Sequence, residues 1–285
     1  MTKSSEVPPS GIWAPAVTFF DPDTDELLLT DQAKYYAYLS CTGLVGLIIL
    51  GTNAETFLLT AAERKNLIAT AREACGPCFP LMACVGAFST KQVLLLPAAY
   101  FGKATTMAVV EAFYDQVAAE SKLPMVIYNF PGICNGVDLD SDIIAKLAVR
   151  HHNIVGVKLT CGSVAKITRL AAQLPKSEFS AFGGQSDFLI GGLAFGSAGI
   201  YDLWHEGKTE EALKLHQKAA LAELPCKKGI AAVKYAAAIF TANKAGIEDA
   251  ERKLRPRRPY EPPSEEVKSY IRKSMKEMTE IKDSL

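Results

Sequence analysis

Short apolar runs alternate with amphipathic stretches along most of the chain. Eight runs are nearly continuous in apolar residues: Trp13–Phe20, Val45–Leu50, Pro80–Val85, Val93–Pro97, Met125–Phe130, Ile154–Leu159, Phe179–Gly183 and Gly196–Ile200. Such runs mark parallel strands covered on both faces rather than half-exposed antiparallel ones. Between them lie helices with readable starts. Thr60 and Glu63 have the spacing of a capping box ahead of a helix ending near Ala74. Thr105 or Thr106 can cap a helix with Val110, Phe113 and Val117 on one face, and Ser141–Arg150 and Ser163–Leu174 read as two more. Eight strands with interleaved helices in about 200 residues predict an α/β fold, a (β/α)8 TIM barrel. A doubly wound sheet fits less well, because no G-x-G-x-x-G follows an early strand.

Past the eighth run, Lys208–Glu223 and Gly229–Asn243 read as helices. A proline-rich connector over 255–263 leads to a last helix capped by Ser264, with Val267, Ile271, Met275 and Met278 at three- and four-residue spacing. The predicted organisation is a barrel over 11–205 and an additional C-terminal helical appendage, 206–285, packed on it. Two connections break the rhythm. Only Gly86–Gln92 separate the third and fourth strands, where a parallel crossover takes roughly a dozen residues. Ile200 runs straight into Tyr201, with no loop for the eighth strand. Both read as deletions, or as joins across residues missing from this sequence, and the second reading is preferred because losing a crossover is costly.

Composition narrows the function. Thirty-one basic residues balance 31 acidic ones in a chain of 285. A net charge of zero provides no footprint for nucleic acid or for a basic membrane face. No apolar run approaches the roughly 18 residues needed to span a bilayer. Met1–Ser10 has one lysine and no apolar core, so no secretory signal is expected. With an odd count of seven cysteines, the expected compartment is reducing and cytoplasmic. Cys75-Gly-Pro-Cys78 follows a helix instead of opening one, so no helix dipole favours a thiolate and the motif reads as a turn. The histidines at 151, 152, 205 and 216 have no metal-ligand spacing, and no metal is expected.

One residue stands out chemically. Lys158 closes the segment Ile154-Val-Gly-Val157, and period-two alternation sets it on one face with Ile154 and Gly156. On a barrel interior, that position is the carboxyl end of the strands, where barrel active sites lie. Partial desolvation there disfavours the ammonium, and a neutral amine can attack a ketone to form a Schiff base. Judged by position alone, a lysine at a strand end with its head in water is the commoner case.

Further segments change that balance. Gly51-Thr-Asn-Ala-Glu55 follows the second strand, Tyr128-Asn-Phe-Pro131 closes the fifth, and Gly156-Val-Lys158 ends the sixth. Together with Gly11-Ile-Trp-Ala-Pro-Ala-Val-Thr-Phe-Phe20, they resemble the dihydrodipicolinate synthase/N-acetylneuraminate lyase family of class I aldolases, from Gly11 into the C-terminal helices. The resemblance implies a homotetrameric Schiff-base enzyme that takes pyruvate or a related 2-oxo acid and needs no metal or organic cofactor. It makes Lys158 the Schiff-base lysine and Tyr128 the proton shuttle. Thr52 supplies the hydroxyl of the proton relay, and Tyr100 completes that relay from a neighbouring subunit. Asn53 and the Thr52 N–H hold the 2-oxo acid carboxylate, while Gly184, in Gly183-Gly184-Gln185-Ser186-Asp187, lines the lysine's pocket. Such chemistry runs in both directions, so the expectation is a lyase or a synthase.

The departures from the family pattern concern the second substrate. No arginine stands two residues after Pro131, Leu159 replaces a commonly acidic residue, and Ala54 replaces a common glycine. Asn53 resembles the 4-hydroxy-2-oxoglutarate and sugar-acid aldolase branches more than the lysine-biosynthetic one. Two alternatives remain at this stage. One is a phosphate-binding barrel isomerase relying on the late glycines. The other is a member whose chemistry has lapsed, serving as a binding protein.

Overall fold

The computed structural model describes residues 7–84, 93–98, 102–199 and 202–284, with Val93 and Lys103 described by backbone only. In chain order the main elements begin with β1 (Trp13–Pro15), α1 (Leu29–Ser40), β2 (Gly46–Ile49), α2 (Ala61–Cys75), β3 (Leu81–Cys84) and β4 (Val93–Leu95). Then come α3 (Met107–Glu120), β5 (Met125–Asn129), α4 (Ser141–Arg150), β6 (Ile154–Leu159), α5 (Val164–Gln173) and β7 (Ser180–Gly183). The remaining helices are α6 (Leu189–Ala194), α7 (Asp202–His205), α8 (Thr209–Glu223), α9 (Ile230–Ala237), α10 (Ala250–Lys253) and α11 (Glu265–Asp283). Two compact units divide the chain: a mid-chain unit of 1–12 with 85–213, and a flanking unit of 13–84 with 214–285. The division groups the C-terminal helices with the first three strands.

In the mid-chain unit, β4, β5, β6 and β7 pair in that order, all parallel. Their apolar residues meet α3, α4 and α5 in a core that includes Leu95, Tyr114, Ile127, Leu147, Ile154 and Ile167. Tyr114 is wholly buried, and its hydroxyl donates to the Leu95 carbonyl at 2.8 Å. Thr106 is the residue that caps α3, and Asp140 and Ser163 cap α4 and α5. Each side-chain oxygen takes one of the orphan N–H groups of a first helical turn.

The eighth strand does not form as a regular element among the described residues. Ser197 N–H donates to Gly192 O at the end of α6, leaving Ala198 as the residue with ladder-type bonds. Ala198 N–H reaches Ala181 O of β7 at 2.7 Å, and Gly11 N–H reaches Ala198 O at 2.9 Å. One residue therefore does the work expected of five. The shortened connection over 86–92 and the junction at 200–201 lie outside the described residues.

In the flanking unit, β1, β2 and β3 are parallel neighbours. The Thr60–Glu63 capping box forms in full at the start of α2. Its other end carries Cys75-Gly-Pro-Cys78 as a turn, with Gly76 at φ 78°. The Arg72 guanidinium donates to the carbonyls of Gly76, Pro77 and Phe79 there. Burial raises the Cys75 thiol, the opposite of what a reactive dithiol needs. Helix α1 starts at Leu28 with no side-chain cap. Instead Gln32, 1% exposed, accepts from Phe19 N–H and donates to Val17 O. No helix among the described residues is long and apolar enough to cross a membrane.

Candidate active site

Lys158 lies one residue from the carboxyl end of β6, paired in register with Tyr128 on β5 and Phe182 on β7. Its Nζ sits 4.5 Å from the centroid of the Tyr128 ring. Lys158 is half-buried, Tyr128 is 4% exposed, and Leu159 is wholly buried on the opposite face. The alternation expected of the strand thus separates the amine from the core. Gly156 shares the lysine's face, and a Cβ there would come within 2.7 Å of Ser180 O. Only glycine lets β7 approach closely enough to hold its register beside Lys158.

Asn129 fixes the end of β5 from the other face. It is wholly buried, donates to Asp138 Oδ1 at 2.7 Å and accepts from Leu139 N–H at 3.0 Å. Lys166 of α5 pairs with the same aspartate. The Asn129 carbonyl accepts from Thr160 N–H, so the ends of β5 and β6 are tied just past Tyr128 and Lys158. Two residues beyond the lysine, Thr160 Oγ1 is buried and has no hydrogen-bond partner among the described residues. Gly184 packs against this threonine: a Cβ at 184 would lie 2.1 Å from Thr160 Oγ1. The site as described thus has an amine, a phenol and an unsatisfied hydroxyl at the ends of two neighbouring strands. Sequence reasoning passed over Thr160, although its period-two relation to Lys158 was readable.

The late glycines do not form a phosphate cradle. The N–H groups of Gly184, Gly196, Ser197 and Ala198 all donate to backbone carbonyls within the mid-chain unit. An anion site needs those donors pointing outward. His151 and His152 lie before β6, at the far end from Lys158, and His151 Nε2 contacts Asp115 Oδ1 at 2.6 Å. Among the described residues, no group of three or more His, Cys, Asp or Glu side chains could hold a metal ion.

In the flanking unit, Thr52 and Asn53 open a 3-10 turn over Thr52–Ala54 directly after β2. Both are half-buried. A second 3-10 turn, Thr56–Leu58, follows, and the two are joined through Glu55 in the left-handed region at φ 57°. Ala54 is absent from the positive-φ positions, so its replacement of glycine costs no backbone strain. Glu55 is 1% exposed and pairs with Lys234 of α9, itself wholly buried. Burial pushes Lys234 down to about 8, against the pull of Glu55 and Asp25. The sequence motif contained Glu55, but its partner lies 179 residues away and left no local signal. Tyr100 lies outside the described residues.

The model of the Dihydrodipicolinate synthetase family matches residues 8–278. The chain is 60% identical over 309 aligned positions to a putative mitochondrial 4-hydroxy-2-oxoglutarate aldolase of Coccidioides immitis, covering 98% of each. Those 309 positions exceed the 285 residues here by 24, so at least that many face no residue of this chain. A probable mitochondrial 4-hydroxy-2-oxoglutarate aldolase of Emericella nidulans is 32% identical over 96% of both chains. Among solved structures, a putative dihydrodipicolinate synthase family protein from Coccidioides immitis superposes with TM-score 0.90 at 55% identity, covering 98% of this chain and 99% of that one. The expectation of a cytoplasmic protein is overturned, since both named aldolases are mitochondrial. The cysteine count could not have told the difference, because it reports a reducing environment rather than an address. An amine over a phenol at a strand end, in a sequence matched from end to end, leaves one assignment: the chain is an aldolase-type lyase and belongs to the Dihydrodipicolinate synthetase family.

Proposed function

We propose that the protein is a Schiff-base aldolase that cleaves 4-hydroxy-2-oxoglutarate to pyruvate and glyoxylate, or joins them, with Lys158 as the covalent residue. The observation that carries this reading is the Lys158–Tyr128 pair, with Nζ 4.5 Å from the ring centroid. The neutral amine adds to the 2-oxo carbon, water leaves, and the protonated imine withdraws electrons from the bond being broken. Cleavage leaves an enamine, which takes a proton and releases pyruvate on hydrolysis. Tyr128 moves protons in these steps, work suited to a phenol whose ring lies beside the reacting nitrogen.

The remaining roles rest on the family resemblance. Thr52 takes part in the proton relay, and Thr52 N–H with Asn53 holds the substrate carboxylate. Tyr100 completes the relay across a subunit boundary of a homotetramer, and the resemblance implies a (β/α)8 barrel with additional C-terminal helices. Gly184 forms the pocket wall against Thr160, whose unsatisfied hydroxyl suits a substrate oxygen. No metal or organic cofactor enters these steps. The names of the two mitochondrial relatives support a mitochondrial setting.

Sodium borohydride added with pyruvate tests the covalent step. The expected result is reductive labelling at Lys158, mapped by mass spectrometry, and labelling elsewhere or none overturns the reading. Pyruvate release from 4-hydroxy-2-oxoglutarate should exceed release from 3-deoxy-2-oxo sugar acids. A preference for the sugar acids, or for condensation with aspartate semialdehyde, would move the chain to another branch of the family.

A further inference from the structure

The turn that carries Thr52 and Asn53 is anchored by residues far away in sequence. Thr18 Oγ1, on a residue 1% exposed, donates to Ala54 O at 2.9 Å. Glu55 Oε2 pairs with Lys234, and Glu55 Oε1 accepts from the Arg257 backbone N–H at 2.8 Å. The Arg257 side chain continues the grip, donating to Leu58 O at 3.1 Å and pairing with Glu63 at 2.8 Å. Lys234 Nζ and the Arg257 guanidinium lie 4.6 and 5.0 Å from the centroid of the buried Phe20 ring. Immediately after α9, Ala238–Ala242 form a π-helical turn. Thr241 there bonds the Tyr35 hydroxyl of α1 at 2.9 Å. Lys234 is therefore held on a locally distorted helix that has its own anchor.

A buried ion pair is a poor way to stabilise a fold, since desolvation consumes most of its Coulombic gain. It is a good way to fix a register, because neither partner tolerates displacement. Here the fixed object is a left-handed residue one position beyond Ala54, so any slip of Glu55 rotates the preceding turn. We infer that Glu55, held by Lys234 and the Arg257 backbone, is a positioning residue that aims the Thr52–Asn53 turn at the 2-oxo acid carboxylate. This rests on the role proposed above for that turn, and extends it by giving the C-terminal helices a part in substrate binding.

The test is saturation of Lys158 trapping by pyruvate and borohydride, measured beside thermal melts. In E55Q, the amide still accepts from Arg257 N–H but loses its charge. In E55Q/K234M, methionine fills the lysine's volume and no charge is left unpaired. T18V removes a different tie to the same turn at constant shape. E55Q/K234M is expected to melt near wild type yet require about tenfold more pyruvate for half-maximal trapping, with the plateau of labelling retained. E55Q should show the same rise with a lower melting point, and T18V a smaller rise. Half-saturation within twofold of wild type in the folded variants overturns the inference, as does a loss that follows melting temperature alone. Absence of trapping in the wild-type protein would instead overturn the covalent reading, and the inference with it.

Discussion

The end of β6 and the turn after β2 are built in opposite ways. At β6, one strand supplies Gly156, Lys158 and Thr160 to the same face, and the neighbours that matter are adjacent strands in register. At the turn, Thr52 and Asn53 sit on two short 3-10 turns and are held through Glu55 by side chains and backbone from residues 18, 234 and 257. The strand end is rigid through its own ladder, whereas the turn borrows its rigidity. Damage to the strand end should therefore abolish chemistry directly, while damage to the turn should weaken binding first.

The largest effect expected is that of Lys158→Ala. It removes the proposed covalent partner from a half-buried position with no cavity in the core, so the chain should melt within a few degrees of wild type. Pyruvate release from 4-hydroxy-2-oxoglutarate should fall by at least about a thousandfold. Substantial residual turnover would break the comparison, because β6 would no longer carry the chemistry.

Tyr128→Phe separates the ring from its hydroxyl. The ring contact to Lys158 and the packing of a residue 4% exposed are kept, and the hydroxyl proposed to move protons is removed. Turnover should drop about a hundredfold with KM changed little. An equal change in kcat and trapping affinity would place Tyr128 among the binding groups instead.

How far each half could be read from the sequence follows from the same contrast. Strand β6 matches its expected limits, and the Lys158 face follows from alternation alone. The capping box at Thr60, the cap at Ser264 and, as one of two candidates, the cap at Thr106 were legible because their partners lie three residues away. Helix α1 carried no such signal, its order coming from Gln32 bonded back to residues 17 and 19. The Gly196–Ile200 run was apolar enough for a strand, yet its Ser197 N–H is spent on α6, which no strand pattern reveals. Glu55 lay in plain sight within its motif. Its meaning depends on a lysine 179 residues away, and a lysine in an amphipathic helix reads as solvent-facing until a tertiary partner is known.

Gly156→Ala sharpens the comparison through stability. A Cβ 2.7 Å from Ser180 O forces β7 away from β6, and overpacking of this kind costs about 1–3 kcal/mol. Chemical denaturation should show that loss with turnover falling alongside it, since the strand end moves as a unit. Gly76→Ala, at a turn with nothing within 4 Å of its Cβ, should lose less, the cost being confined to its φ of 78°.

The smallest effect is a pH dependence confined to the flanking unit, and its sign separates the turn's two properties. Burial lowers the folded value of Lys234 to about 8, from the usual 10.5 of a lysine. Between those values the unfolded chain binds more protons than the folded one, so stability rises with pH. From pH 7 to pH 9 the gain is about 1 kcal/mol for this group. The charged groups facing it are Glu55 from the turn, Asp25 from the β1–α1 connection and Arg257 over the shared Phe20 ring. Deprotonation of Lys234 removes the ionic half of its hold on Glu55 as the fold gains stability. Relative to K234M, the wild-type protein should therefore become more resistant to denaturant between pH 7 and 9 while needing more pyruvate for half-maximal trapping. Stability and pyruvate affinity moving in opposite directions is what a borrowed rigidity predicts. If stability and affinity rise or fall together, Lys234 contributes only to the fold, and the turn is as self-sufficient as the strand end.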